Sequence, residues 1–163
     1  MKRSMSEETA MFRLADYCAK GEHCTSELLA MLAKWHIPEN AQMRIMKELQ
    51  KRRYFDDERY ARAFVKDKIR YNKWGRRKVQ QALWQKRISD DVQQKVLDEI
   101  DEGEYLDVLR PLLKQKRKTI KAQSDYEQNQ KLMRFALGRG FSFDQIRQCI
   151  DVEEEPDYAE ETD

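Results

Sequence analysis

Apolar residues recur at three- and four-residue intervals along this chain, the spacing of one face of an α-helix. Ala10, Leu14, Tyr17 and Cys18 stand at i, i+4, i+7 and i+8, and Gly21 is a natural stop for the helix they predict. A second helix is expected over 25–35, with Leu28, Leu32 and Trp35 on one side. A third opens at Pro38, where a missing N–H costs nothing, and uses Ala41, Ile45, Met46 and Leu49. The chain has three prolines and five glycines and no β-branched runs, so little interrupts the helical pattern.

The pattern then repeats with a shift of 51 positions. Glu7 maps to Glu58, Ala10 to Ala61, Leu14 to Val65, Leu28 to Val79, Leu32 to Leu83, Ile37 to Ile88, Ile45 to Val96 and Leu49 to Ile100. Helices over 57–72, 76–86 and 90–101 follow, with Ser89 as N-cap of the last. A shift of 53 yields a looser third copy, pairing Val79 with Leu132, Ala82 with Phe135, Leu83 with Ala136 and Ile88 with Phe141. Its helices are expected over 104–121, 125–137 and 143–151. Ser124 with Glu127 and Ser142 with Gln145 have capping-box spacing. Pro111 either kinks the first of these helices or marks its true start. The predicted fold is all-α, an elongated curved array of three tandem three-helix, helix-turn-helix-like repeats. The boundaries are 1–55, 56–103 and 104–152, with an acidic disordered tail over 153–163. A lone unit of about 50 residues has a marginal core, and units in series share interfaces. A curved rod suits a polymer or a groove better than a small molecule.

Apolar residues make up 40% and charged residues 38% of the chain, and mean hydropathy is −0.97, so the core is modest and the surface densely ionic. No uncharged run approaches the ~18 residues of a membrane span, and the first residues lack the apolar centre of a signal peptide. Three cysteines, Cys18, Cys24 and Cys149, are an odd number without framework spacing. Together these features place the chain in a reducing cytoplasm, with no membrane partner, as a monomer.

Net charge is only +2, but it is unevenly spread. Residues 44–87 hold 16 Lys or Arg against five Asp or Glu. Residues 108–124 carry six bases and no acid, and 151–163 carry eight acids and no base. Such a tail is usually solvated, and can also fold back on a basic face.

Little reactive chemistry competes with the cationic stretch. Cys18, His23, Cys24 and His36 match no zinc spacing, and no metal or other cofactor is expected. Asp56, Asp57 and Glu58 sit at a helix start, where acids satisfy free N–H groups, and Asp90 and Asp91 repeat the arrangement. No glycine-rich phosphate cradle is present, and Gly140 reads as a left-handed helix stop. Met11, Met31, Met43, Met46 and Met133 read as core residues on apolar faces. No catalytic residue is assigned, and the chain reads as a binding protein and not an enzyme.

The cationic stretch has two clusters flanking the helix over 57–72: Lys51, Arg52 and Arg53, then Arg70, Lys73, Arg76, Arg77 and Lys78. Arg76, Arg77 and Lys78 begin a helix and so oppose its dipole, a strain that an anion would relieve, held in part by free N–H groups of that turn. Trp74 can stack on a base or a guanidinium; Trp84 can equally be packed between units. The anion-facing set assigned on charge is Arg52, Arg53, Arg59, Arg70, Lys73, Trp74, Arg76, Arg77 and Lys78.

The run Phe55-Asp56-Asp57-Glu58-Arg59-Tyr60-Ala61-Arg62-Ala63-Phe64-Val65 resembles the opening of the middle repeat of RecX regulatory proteins. Trp74-Gly75-Arg76-Arg77-Lys78-Val79, Leu83 and Ile88 resemble its continuation, and Arg139-Gly140-Phe141-Ser142 with Ile146 is similar to the closing repeat. The likeness covers about residues 8–152. The chain departs from the pattern at Cys24, where a hydroxyl N-cap is usual and Thr25 could cap instead, and at His36 and Arg87, which replace helix-ending glycines. A non-glycine residue in a left-handed turn costs about 1 kcal/mol, so those ends are expected to be shaped differently.

The resemblance implies a non-enzymatic regulator of the RecA recombinase. Such a protein binds the RecA–DNA filament, lies in its groove, and suppresses ATP hydrolysis, strand exchange and the recombination and SOS activities that depend on them. Single- or double-stranded DNA, bound without sequence preference, is a second expected partner. The competing reading is a helix-turn-helix DNA-binding repressor, for which helix 76–86 offers Gln80 and Gln81.

Overall fold

The computed structural model describes residues 5–152, which form nine α-helices and no strand. In chain order they are α1 Glu7–Lys20, α2 Thr25–Lys34, α3 Glu39–Lys51, α4 Asp57–Arg70, α5 Arg76–Gln85, α6 Asp90–Asp98, α7 Glu102–Arg117, α8 Asp125–Gly138 and α9 Phe143–Arg147. The expected acidic tail lies outside the described residues.

The internal repeat is a repeat of burial. Ala10 and Ala61, Leu14 and Val65, Leu28 and Val79, and Leu32 and Leu83 are all fully buried. Ile37 and Ile88, and Ile45 and Val96, are nearly so, while Ile100 is only half-buried where Leu49 is enclosed. In the third copy Leu132, Ala136 and Phe141 fill the matching places. Met11, Met31 and Met46 pack against the first core and Met133 lies inside the third repeat. Met43 is 74% exposed, so it is not the core residue expected; Trp84, 70% exposed, is not packed between units.

Each repeat turns between its second and third helices through the same hydrogen-bond pair. Ile37 N–H donates to the Leu32 carbonyl and His36 N–H to the Ala33 carbonyl. Ile88 with Leu83 and Arg87 with Trp84 form the second copy, and Phe141 with Ala136 and Gly140 with Leu137 form the third. This is the Schellman stop, which needs a left-handed residue at its bend. His36 has φ 58°, Arg87 57° and Gly140 96°. The expectation that His36 and Arg87 end their helices differently is therefore wrong: both backbones take the left-handed conformation, and each following isoleucine is buried and donates its N–H to the Leu32 or Leu83 carbonyl. Gln42 and Gln93, again 51 apart, each donate Nε2–H to the carbonyl of that isoleucine at 2.8 Å.

Helix starts follow the caps. Ser6, Ser124 and Ser142 accept the N–H three residues on, and Ser142 with Gln145 closes a full capping box. Glu127 reaches one residue further back, to Gln123 N–H. Ser89 accepts Val92 N–H as expected. Cys24 itself holds the N-cap place of α2, and Thr25 is the first helical residue instead of the cap. α7 runs through Pro111, so that proline does not start the helix; it leaves the Asp107 carbonyl without its usual donor. α4, α6, α7 and α9 stop two to four residues short of the expected ends, which are tight turns such as Ile100 N–H to Leu97 and Thr119 N–H to Lys116.

Backbone proximity divides the chain into two compact units. Of the described residues, one holds 5–64 with Leu83–Gln93; the other holds Val65–Ala82 and 94–152. The division does not follow the repeat boundaries, because α4, α5 and α6 each contribute to both. In the first unit α1 and α2 pack on α3 around Leu14, Leu28, Leu32, Ile45 and Leu49. Its repeats are joined by Asp57, which accepts Thr25 N–H at 2.7 Å and the Thr25 hydroxyl at 3.0 Å, and by Lys86, whose ammonium meets Glu27 at 3.1 Å. In the second unit α7 packs on α8 and α9 around Leu109, Leu132 and Ile146.

Candidate anion-binding surface

The acidic run before α4 is structural. Asp56 caps α4, accepting Glu58 N–H at 2.9 Å and Arg59 N–H at 3.0 Å. Asp57 is committed to Thr25. Among the described residues no cluster of His, Cys, Asp and Glu is arranged to hold a metal ion.

Three of the nine assigned residues lie in the first unit. Arg53 occupies the left-handed bend after α3, at φ 59°, with Tyr54 N–H closing the turn on Leu49. Arg52 donates Nε–H to Glu48 at 2.7 Å, and Arg59 donates Nε–H to both Glu22 carboxylate oxygens at 2.8 and 2.9 Å. The bond to Glu22 holds the Arg59 guanidinium above its ordinary range.

The other six lie in the second unit on the turn between α4 and α5. Lys73 takes a left-handed φ of 58°, and its ammonium donates to the Arg70 carbonyl at 2.6 Å. The Trp74 ring is covered by two ammonium groups, Lys68 at 5.4 Å and Lys78 at 5.1 Å from its centroid. It is thus occupied by the chain's own cations, an arrangement worth about 0.5–1 kcal/mol at an exposed site. Arg76 donates to Asp98 at 2.8 Å, and Gln94 and Arg76 together draw the Asp98 carboxyl below its usual range.

This turn is pinned by a crossing of two glycines. Gly75 N–H donates to the Arg139 carbonyl at 2.8 Å and Arg77 N–H to the Gly140 carbonyl at 3.2 Å. A Cβ on Gly75 would stand 2.4 Å from the Gly140 carbonyl carbon and the Phe141 nitrogen, so only glycine fits. The crossing takes one N–H of the first turn of α5 away from an anion, because the Gly140 carbonyl accepts that of Arg77. Nor is the Arg77 side chain wholly outward, since it donates to the Leu137 carbonyl at 2.8 Å and caps α8.

So Arg52, Arg59 and Arg76 are engaged with carboxylates, Arg77 with a carbonyl, and Lys78 with an aromatic face. Arg53 and Arg70 are exposed and meet no carboxylate of the described residues, and Lys73 meets only a carbonyl among them. The ion pairs are exposed, so they are weak and exchange readily for another anion. Two further cations belong to this surface and were not in the assigned set. Arg139 donates to the Asn72 carbonyl at 3.0 Å, tying the third repeat to the turn, and Lys68 covers Trp74. The spacing of Lys68 six residues before Trp74 held no helical signal, because the turn intervenes.

Models of known families match two stretches of the chain: the second three-helix domain of RecX over 56–97 and the third over 102–150. A regulatory protein RecX of Clostridium perfringens is 33% identical over 120 residues, 72% of this chain and 56% of the relative. One of Vibrio campbellii is 34% identical over 102 residues, 63% of this chain and 64% of the relative. The chain thus spans somewhat more than half the length of these relatives. Among solved structures, a regulatory protein RecX superposes with a TM-score of 0.81 at 22% identity, covering 88% of this chain and 72% of the other. RecX from Lactobacillus salivarius superposes at 0.77 with 18% identity, covering 88% and 93%.

Proposed function

The chain belongs to the RecX family of regulatory proteins, and from that premise we propose that it binds the RecA–DNA nucleoprotein filament in the cytoplasm, as a monomer, and inhibits RecA ATPase, strand exchange and the recombination and SOS activities. The reading is that of a binding protein without catalytic residues or cofactor. The observation that carries it is the turn from Arg70 to Lys78, which gathers five cations, Lys78 over the Trp74 ring, with only Arg76 of them paired with a carboxylate of the described residues. Arg52, Arg53 and Arg59 are proposed to add a second cationic patch. Contacts of this kind neutralise phosphates or acidic side chains and read no sequence. Successive engaged patches raise effective concentration along a helical assembly, so inhibition is expected well below one chain per recombinase subunit.

The test is RecA ATP turnover on single-stranded DNA with increasing amounts of this chain. Arg70→Glu with Lys73→Glu is the informative variant, because among the described residues Arg70 forms no side-chain bond and Lys73 bonds only the adjacent Arg70 carbonyl. It is expected to keep its helical circular dichroism and lose inhibition. Wild-type chain without effect at stoichiometric amounts would reject the function; full inhibition by the variant would reject the site. A footprint at one DNA sequence that survives competitor DNA would favour the repressor reading instead.

A further inference from the structure

The second unit holds a groove of about 580 Å³ between the C-terminal half of α4 and α7. One wall carries Lys66 and Arg70, at i and i+4 on one face of α4, and Lys73 on the turn that follows. The facing wall carries Glu104 and Asp107 on α7. Between them lie Ile69, Val108 and Leu112, the first buried and the others half-buried. No carboxylate of the described residues lies within ion-pair distance of Lys66, Arg70 or Lys73, so the two walls face each other across the groove without neutralising one another. Glu104 belongs to the first turn of α7, where the helix dipole favours an acid. Asp107 lies beyond that turn, and the dipole gives no reason for it.

A surface that only gathers phosphates gains nothing from two carboxylates beside its cations, since they repel the ligand. Opposed unpaired charges over an apolar floor suit an occupant that itself carries both signs. Lys66 to Arg70 spans about 6 Å of helix at 1.5 Å per residue, and Lys73 extends that wall on the turn beyond. The helical part of that wall alone admits about two residues of extended chain or four of helix. We propose that this groove docks a protein segment bearing a carboxylate, an apolar side chain and a cation in that order across its width. The carboxylate meets Lys66, Arg70 and Lys73, the apolar group meets Ile69, Val108 and Leu112, and the cation meets Glu104 and Asp107. Nucleic acid, with one sign of charge, does not fit both walls. The inference rests on the filament-binding reading and adds that the recombinase itself, and not its DNA, occupies this groove.

The test is Glu104→Lys with Asp107→Lys in the full chain, read by binding to two probes: RecA filaments on single-stranded DNA, and the same DNA free. Both side chains are exposed, and circular dichroism checks that the helices remain. The expected result is opposite shifts: affinity for free DNA rises, and affinity for the filament falls roughly tenfold. The neutral variant Glu104→Gln with Asp107→Asn is expected to shift both in the same directions by less. Parallel tightening on DNA and filament would overturn the inference while leaving the filament-binding reading intact. A wild-type chain that does not bind the filament at all overturns both, and shows itself before any substitution is made.

Discussion

Replacing Gly75 by alanine is expected to destabilise the second unit by about 2–4 kcal/mol. The new Cβ would lie 2.4 Å from two backbone atoms of the Gly140–Phe141 peptide and 2.5 Å from its oxygen. No rotamer change relieves an overlap with backbone, so the two turns must separate. Overpacking of this kind costs about 1–3 kcal/mol. Separation also stretches the bond from Gly75 N–H to Arg139 and that from Arg77 N–H to Gly140, each worth about 1 kcal/mol net. Against a total stability of about 5–15 kcal/mol, that is a large fraction. Urea unfolding followed by circular dichroism measures it as a lower midpoint at unchanged slope. Gly103→Ala is the control: it lies in α7 with nothing within 4 Å of its added Cβ, and alanine there is expected to stabilise by up to about 1 kcal/mol. A Gly75→Ala protein within about 0.5 kcal/mol of wild type would refute the crossing. So would a value matching that of the Gly103 control.

Glycine at His36 or Arg87 is expected to raise stability by about 0.5–1 kcal/mol each, by releasing the left-handed strain at φ 58° and 57°, and thermal melts of the single variants check this. Burial pushes the Glu27 carboxyl up, but the bonds from Lys86 and from Cys24 N–H outweigh it and hold it below its ordinary value. A lowered folded-state value contributes stability that is present above the unfolded value of about 4.3 and lost as pH falls through the folded one. Glu27→Gln is therefore expected to flatten the acid limb of a stability–pH curve, with the difference confined to the range below about pH 5. The Tyr105 hydroxyl is buried without a hydrogen-bond partner, and burial pushes its pKa up to about 12. Here the raised value means stability held below about pH 10 and lost as pH rises towards 12, and Tyr105→Phe should remove that loss. The same change leaves no buried hydroxyl unsatisfied, so at neutral pH it is expected to be neutral or stabilising by about 1 kcal/mol in urea melts.

Much of the fold was legible because burial repeats with the helical period. The 51-residue shift located Leu28 with Val79 and Leu32 with Leu83 without any structure, and every member of those pairs is fully enclosed. The helix stops were less legible. The Schellman turn is set by two backbone hydrogen bonds and a buried isoleucine, and glycine is only its cheapest occupant, so His36 and Arg87 read as departures when they are not. Helix ends at Asp98 and Arg117 were overrun because charged residues that suit a helix suit a tight turn equally well.

The candidate surface was legible as charge and illegible as pairing. Charge adds along the sequence, so sixteen cations between residues 44 and 87 announce themselves. Pairing depends on which carboxylates the fold returns to them, and Glu22 reaches Arg59 and Asp98 reaches Arg76 from 37 and 22 residues away. Among the described residues no carboxylate pairs with Arg70 or Lys73, and Glu104 and Asp107 line the same groove. What distinguishes a functional cation from a structural one is therefore its partner, not its identity. Arg77 makes the point within a single turn: it sits between Arg76 and Lys78 in the most basic segment of the chain, yet its guanidinium caps α8 at Leu137. Charge reversal there would weaken a helix end as well as a binding face, whereas reversal at Arg70 tests the face alone.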